Sequence, residues 1–188
     1  TLLFLGCNKD QTITPIENDG IFEVPEHFPK PAYQFETNNF TSKGFELGRE
    51  LFYDPFLSSD NTVSCASCHF QNAAFSDPGK AISNGLNGAQ GRRNSLALFN
   101  LIWNTSFMWD GGINHIEIMP LAPITDPNEM NISMADLIEK LNNDSNYKSS
   151  FKEVFGKEEI DDQQLFYALA QFMGALVSST SKYDKYVN

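Results

Sequence analysis

The amino-acid sequence predicts an all-α domain, and three observations support this fold class. No segment shows the sustained alternation of apolar and polar residues that a half-buried strand requires. Several stretches repeat apolar residues at helical spacing, and most of them begin or end with residues that favour helix termini. With 188 residues, 41% hydrophobic residues and 16 Phe, the chain is long and apolar enough for one domain with a real core.

The first seven residues, TLLFLGC, are interpreted separately from the domain. They resemble the end of an apolar signal segment followed by the lipobox of bacterial lipoproteins, in which Cys7 would carry the lipid. The alternative is an ordinary cleaved signal with an incidental cysteine. Residues 8–34 contain four prolines and several acids without a helical or strand period, which predicts a tether followed by an extended arm along the domain. The folded domain is expected to occupy residues 35–188.

The first half of the folded part contains three stretches that predict helices. Residues 41–55 place apolar side chains on a helical stripe, with Thr41 or the next residue as N-cap and a proline as stop. Residues 93–103, RNSLALFNLIW, form an apolar run that predicts a second helix or a helix-like stretch. Residues 114–123 predict a short third helix that Pro120 would kink or end.

The second half of the folded part predicts three more helices. Ser133 precedes Asp136 by three residues, a spacing typical of a capping box at the start of a helix. Residues 147–156 end with a glycine suited to the position after a helix. The strongest helical pattern is 161–179, where apolar residues recur at helical spacing.

The chain places two of its three cysteines and one of its three histidines inside TVSCASCHF, residues 62–70. Cys65, Cys68 and His69 have the spacing C-x-x-C-H. A zinc site would require a second such pair, and a thioredoxin-like site would require a long helix after the motif, whereas the sequence that follows is typical of a loop. The adjacent histidine favours covalent haem c, in which the thiols bond to the haem vinyl groups and His69 ligates the iron. Such attachment outside the cytoplasm suits a chain that begins with a signal segment.

The formal net charge of −11 argues against nucleic acid as a partner, because phosphate binding requires a basic surface. The acidity permits a basic protein partner and is also compatible with simple solubility.

The motif and its surroundings resemble a known family. The matching stretches are ELGRELFYDPFLSSDNTVSCASCHF, AFSD, SNGLNGAQGRRNSLALFN, FMWDGG, IEIMPLAPITDPNEM, FKEVFG and LVSSTSKYDKYV, in that order. The chain resembles the N-terminal half of bacterial di-haem cytochrome c peroxidases, the family that includes MauG. The resemblance implies a cytochrome c-like haem domain in which the bound haem reacts with peroxide. It also implies a second domain with its own C-x-x-C-H, so we expect this chain to be part of a longer protein.

The resemblance also implies roles for individual residues. Glu117 matches the acidic residue beside the distal side of the iron. A carboxylate there would take a proton from one peroxide oxygen and return it to the other. The alternative is a glutamate on the surface of a helix. Two positions depart from the family pattern. Leu86 replaces a histidine that caps the resting iron in many members, which predicts an open or water-filled sixth position. Phe107 replaces a glutamine that assists the acid.

Further expectations concern the basic loop GRRN, residues 91–94. Arg92 and Arg93 are candidates to pair with haem propionates, with loop-surface charge as the alternative. Asn94 matches a position that helps to hold calcium in the family, and its amide oxygen suits that ion. Any methionine could be an axial ligand in a simple electron-transfer cytochrome, although methionines as a group more often fill cores; the five are Met108, Met119, Met130, Met134 and Met173.

The sequence therefore predicts a haem c peroxidase that reduces hydrogen peroxide, with electrons reaching it through a second haem from a small cytochrome c or a cupredoxin. The protein is also a candidate to form a homodimer. The expected location is the bacterial periplasm, with a lipid on Cys7 as the membrane anchor. Two alternatives are a non-catalytic monohaem electron carrier and a MauG-like oxidase that acts on a protein residue.

Overall fold

The computed structural model of the protein describes residues 22–35 and 37–187. Within this part the chain forms six α-helices and no strand beyond three isolated bridges, which confirms the all-α prediction. The helices are α1 Ser42–Tyr53, α2 Leu121–Thr125, α3 Met134–Asn142, α4 Ser145–Phe155, α5 Asp162–Gly174 and α6 Asp184–Val187. The lipobox prediction on Cys7 lies outside the described residues.

Helix α1 begins and ends as its sequence predicts. The Thr41 hydroxyl accepts a hydrogen bond from the backbone N–H of Gly44, at 3.0 Å, and so caps the first turn. After Tyr53, the carboxylate of Asp54 accepts the N–H of Phe56 and starts a short 3₁₀ turn. The apolar stripe of the helix is buried, which fixes the helix against the core.

Helices α1 and α5 form the centre of the fold and pack closely on one another. Helix α5 starts at a capping box between Asp161 and Gln164, and most of its residues are buried. A glycine of α1 lies at the crossing: a side chain at Gly48 would place its Cβ only 1.9 Å from the carbonyl oxygen of Ala168. The absence of a side chain at this position therefore allows the two backbones to approach.

Two predicted helices are wrong. Within residues 93–103 only a 3₁₀ turn, Leu101–Trp103, forms, because Asn100 has a left-handed φ of 55° that interrupts any helix. Residues 116–120 form turns, and the helix at this point starts at Leu121, so Pro120 precedes a helix instead of ending one.

Helix α5 is shorter than the predicted 161–179, since it ends at Gly174. The following backbone is held by Asn100, whose side chain accepts from the N–H of Ser178 at 2.8 Å and donates to its carbonyl at 2.9 Å. These two bonds replace the helical ones and tie the loop after α5 to the loop before Trp103.

The described part of the N-terminal arm lies against the domain. Phe22 packs on Phe35, and the Trp103 indole donates to the carbonyl of Pro29 at 2.7 Å. The backbone N–H of Tyr33 donates to the carbonyl of Ile102 at 2.9 Å. Across residues 22–35 and 37–187, none of the helices has the length and apolar character needed to span a bilayer.

Candidate functional site

The C-x-x-C-H motif forms a tight helical turn. Ser64 and Ser67 cap each other around the 3₁₀ turn Cys65–Ser67, and the N–H groups of Cys68 and His69 both donate to the carbonyl of Cys65, at 3.2 and 3.0 Å. This local geometry brings both thiols and the imidazole to one wall of a cavity.

A lysine from a distant helix supports the loop that leads into the motif. The Lys140 ammonium of α3 donates to the carbonyls of Phe56 and Ser58 and to the side chain of Asn61, at 2.6, 2.9 and 2.6 Å. Burial lowers the pKa of Lys140, while the nearby Asp54 and Asp60 act in the opposite direction. The sequence analysis did not identify this residue, since nothing local signals a contact across about eighty positions.

His69 is oriented by the backbone. Its Nδ1–H donates to the carbonyl of Phe75 at 2.7 Å, which leaves Nε2 as the nitrogen that can bind a metal. Ala74 and Phe75 both adopt left-handed φ values, 57° and 55°, in the loop that presents this carbonyl. Such backbone conformations are uncommon for these residue types and concentrate at functional sites. Burial lowers the pKa of His69, which favours the neutral imidazole that ligates iron.

The cavity beside the motif has a volume of about 510 Å³. Phe52 of α1 and Leu169 of α5 form part of its wall, so the central helix pair also shapes the site. The further apolar lining residues are Val63, Leu96, Leu98, Met108, Trp109, Ile113, Met119, Pro120, Ala122, Pro123, Ile124, Met130 and Met173. A large apolar cavity with two thiols and an imidazole on one side, and charged residues at its rim, fits a covalently attached haem.

The two cysteines have the properties of unreactive thiols. Burial raises the pKa of Cys65 to about 12 and also raises the pKa of Cys68. Both are free of disulfides. Redox-active and metal-bound cysteines instead have lowered pKa values. No group of three or more His, Cys, Asp or Glu side chains in residues 22–35 and 37–187 could hold a metal ion directly.

The two arginines predicted to bind propionates both line the cavity and are exposed. Arg93 forms an ion pair with Asp110, Nη1 to Oδ2, at 2.8 Å, and this contact lowers the pKa of the Asp110 carboxyl. Arg92 pairs with no acidic side chain in the described part of the chain, so its guanidinium is free for another anion.

Asn94 connects loops at the cavity rim. Its side-chain NH₂ donates to the carbonyl of Lys80 at 2.9 Å, and the backbone carbonyl of Asn94 accepts from the Trp109 indole at 2.8 Å. Trp109 is 60% exposed although it lines the cavity. The calcium role of Asn94 stays a prediction.

Glu117 is half-buried and lies beside the cavity wall rather than in it. Ile113, Met119 and Pro120 of the same segment line the cavity, whereas Glu117 does not. Its Oε1 accepts a hydrogen bond from the hydroxyl of Tyr33, a residue that the sequence analysis did not identify. The catalytic role of Glu117 therefore stays a prediction.

Besides Asp110, two carboxylates line the cavity, Asp126 and Glu129, and the sequence analysis did not identify them. Burial raises the pKa of Glu129, and the charge of Asp126 acts in the same direction. The only sequence signal was their position in PITDPNEM, one of the stretches that carried the resemblance.

The two positions that depart from the family pattern are both buried. Leu86 and Phe107 are each 5% exposed, belong to the hydrophobic core and are absent from the cavity lining. Four of the five methionines do line the cavity, and they are Met108, Met119, Met130 and Met173.

The helical fold and the site together define a cytochrome c-like haem domain. The profile of the di-haem cytochrome c peroxidase family matches residues 42–188. The chain belongs to that family, which implies haem c as its cofactor. This confirms the resemblance seen in the sequence.

Individual relatives agree with this assignment. The methylamine utilization protein MauG of Methylorubrum extorquens is 37% identical over 166 residues, which are 88% of this chain and 46% of that protein. The cytochrome c peroxidase Ccp of Escherichia coli is 33% identical over 184 residues, 95% of this chain and 36% of that protein. The crystal structure of a MauG-like protein associated with microbial copper homeostasis superimposes with a TM-score of 0.78 at 32% identity, over 88% of this chain and 49% of that one. The chain thus spans about half or less of the length of these proteins.

Proposed function

We propose that this chain is the peroxide-reactive haem domain of a di-haem peroxidase. The reaction is H₂O₂ + 2 e⁻ + 2 H⁺ → 2 H₂O. The observation that carries the proposal is the His69 imidazole, fixed by the Phe75 carbonyl at 2.7 Å and set with Cys65 and Cys68 on the wall of a 510 Å³ cavity. The electrons come through a second haem domain from a small cytochrome c or a cupredoxin, in the periplasm. A lipid on Cys7 anchors the protein, and calcium at Asn94 stabilises the contact between the domains.

We assign the following roles to the chain's own residues. When bound, the haem supplies an iron centre that cleaves the peroxide O–O bond with electrons from the donor. Cys65 and Cys68 hold the group covalently, and His69 supplies its imidazole nitrogen from one side. Arg92 and Arg93 stand at the rim, where guanidinium groups suit propionate carboxylates.

Glu117 is proposed as the group that moves the proton. Heterolysis of peroxide requires a base for the proton of one oxygen and an acid for the departing oxygen, and one carboxylate can serve both steps. Oε1 of Glu117 is occupied by Tyr33, while Oε2 accepts no hydrogen bond from the described part of the chain, so Oε2 is the atom that exchanges the proton.

The experiment is stopped-flow mixing of the haem-loaded chain with hydrogen peroxide. The rate of the haem spectral change is compared between wild type, Glu117→Gln and, as a surface control, Glu153→Gln. Removing a general acid–base group slows such a reaction about 10²–10⁴-fold. An unchanged rate for Glu117→Gln would remove this residue from the chemistry, and a colourless chain from a host with haem c maturation would refute the haem site itself.

One observation favours the alternative of an electron carrier. Four methionines line the cavity, and a thioether bound to the iron would block peroxide. Single substitutions of Met108, Met119, Met130 and Met173 by Leu distinguish the two functions. If one substitution alone converts a low-spin ferric spectrum to a high-spin one, the chain is a carrier. The oxidase alternative differs in its substrate, which is a protein residue, and the MauG relatives keep it as a third candidate.

A further inference from the structure

The N-terminal arm delivers one polar group to the segment that borders the haem cavity. The Tyr33 hydroxyl donates to Oε1 of Glu117, and the two residues are separated by 84 positions in the sequence. The phenol ring is held edge-on against Phe35, with centroids 4.8 Å apart, and the Tyr33 backbone N–H donates to the carbonyl of Ile102. The hydroxyl is therefore placed by three independent contacts and is not a mobile surface group.

We propose that Tyr33 is a positioning residue for Glu117: its hydroxyl fixes the carboxylate, so that the group is held in one orientation for proton exchange with peroxide. This inference rests on the proposed function. It assigns a task to the arm, which the sequence predicted only as an extended connection. It also explains why one oxygen of Glu117 is occupied and the other is left available.

The surroundings of Tyr33 suit a permanent donor. Burial raises the pKa of the phenol well above its usual value, and the hydrogen bond and charge of Glu117 raise it further. Asn38 and Tyr167 are the other polar groups that act on it, and neither is charged at neutral pH. The phenol thus stays protonated over the whole working range and remains a hydrogen-bond donor.

The chain contains a matched control for this pair. The Tyr147 hydroxyl of α4 donates to Oδ2 of Asp54 at 2.5 Å, and burial followed by the Asp54 contact raises the pKa of that phenol in the same way. Neither Tyr147 nor Asp54 lines the haem cavity. A change of Tyr147 to Phe removes the same atom from the same kind of contact, away from the site.

The test compares Tyr33→Phe with Tyr147→Phe in the haem-loaded chain. The pH dependence of the peroxide reaction is measured for both variants and for wild type. We expect Tyr33→Phe to slow the reaction about tenfold or more across the profile, because the carboxylate is no longer held in place, while Tyr147→Phe keeps the wild-type profile. Thermal melts of the two variants are expected to change by similar amounts, because both keep the ring and its packing.

A second readout does not depend on turnover. Tyrosine labelled with ¹³C at the ring carbon that bears the hydroxyl gives one NMR signal per phenol, and loss of a signal in Tyr33→Phe assigns Tyr33. In Glu117→Gln the chemical shift of this signal is expected to change at neutral pH, because the carboxylate acceptor of the hydroxyl is replaced by an amide.

The outcomes separate the two proposals. If Glu117→Gln slows the reaction but the Tyr33→Phe profile coincides with that of Tyr147→Phe, the positioning role is wrong and the proposed function stands. If the Tyr33 signal does not respond to Glu117→Gln, the pairing itself is absent. If Glu117→Gln reacts at the wild-type rate, the catalytic proposal fails first, whatever the NMR signal shows.

Discussion

Replacement of Lys140 by Met is the most direct test of how the distant helix α3 supports the haem motif. The substitution keeps the apolar stem and removes the ammonium, which donates to Phe56, Ser58 and Asn61 and lies 4.3 Å from the centre of the Phe56 ring. A buried hydrogen bond from a charged donor is worth about 1.5–3 kcal/mol. Because Lys140 is partly solvated, we take about 1 kcal/mol for each contact and expect an overall loss of about 2–4 kcal/mol.

The assay is urea unfolding of the haem-loaded chain, followed by circular dichroism, with the free energy of unfolding extrapolated to water. Lys43→Met is the control, since the Lys43 ion pair with Glu153, at 2.7 Å, is largely exposed on both sides. Such pairs contribute about 0–1 kcal/mol. If Lys140→Met lies within about 0.5 kcal/mol of Lys43→Met, the loop before the motif does not depend on α3, and the argument is refuted.

Three further predictions concern the core, the cavity and the iron. Gly48→Ala would force apart α1 and α5, because its Cβ would lie 1.9 Å from Ala168, and a thermal melt should show a loss of about 1–3 kcal/mol or more. Glu129 has a raised pKa, so its ionised form opposes folding as pH rises through that value. Glu129→Gln should therefore stabilise the chain against urea at neutral pH. The difference from wild type should vanish at about pH 3, below the usual glutamate pKa. Because Leu86 cannot ligate iron, the resting ferric spectrum should be high-spin, and a low-spin spectrum with two nitrogen ligands would contradict this.

The parts of the fold that the sequence predicted are those encoded by neighbouring residues. The caps at Thr41 and Ser133 each accept a backbone N–H three residues on, and α5 follows its apolar periodicity, so local patterns were enough to place α1, α3 and α5. The C-x-x-C-H motif could also be identified from the sequence, because the turn that presents Cys65 and His69 is closed by hydrogen bonds within five residues.

The errors arose where long-range contacts override local preference. The apolar run 93–103 has the composition of a helix, but Asn100 bonds to Ser178, on a loop 78 positions away, and takes a left-handed conformation to do so. Apolar periodicity reports which residues are buried and does not report which backbone partner they find. Tyr33 and Lys140 were missed for the same reason, because each acts on a residue more than seventy positions distant.

The chemistry of the site is therefore encoded locally in the C-x-x-C-H motif, whereas segments distant in the sequence hold its side chains in place. Residues within the motif decide which group can be bound, but the arm, α3 and the loop at Phe75 decide how its ligand and its neighbouring carboxylates are held. The two glutamates near the cavity illustrate the consequence. Glu117 accepts a hydroxyl from the arm, whereas Glu129 forms no side-chain hydrogen bond within the described residues and has a raised pKa. Burial favours the neutral form of Glu129 and makes it the weaker candidate for a base, whereas the contact with Tyr33 fixes the orientation of the Glu117 carboxylate.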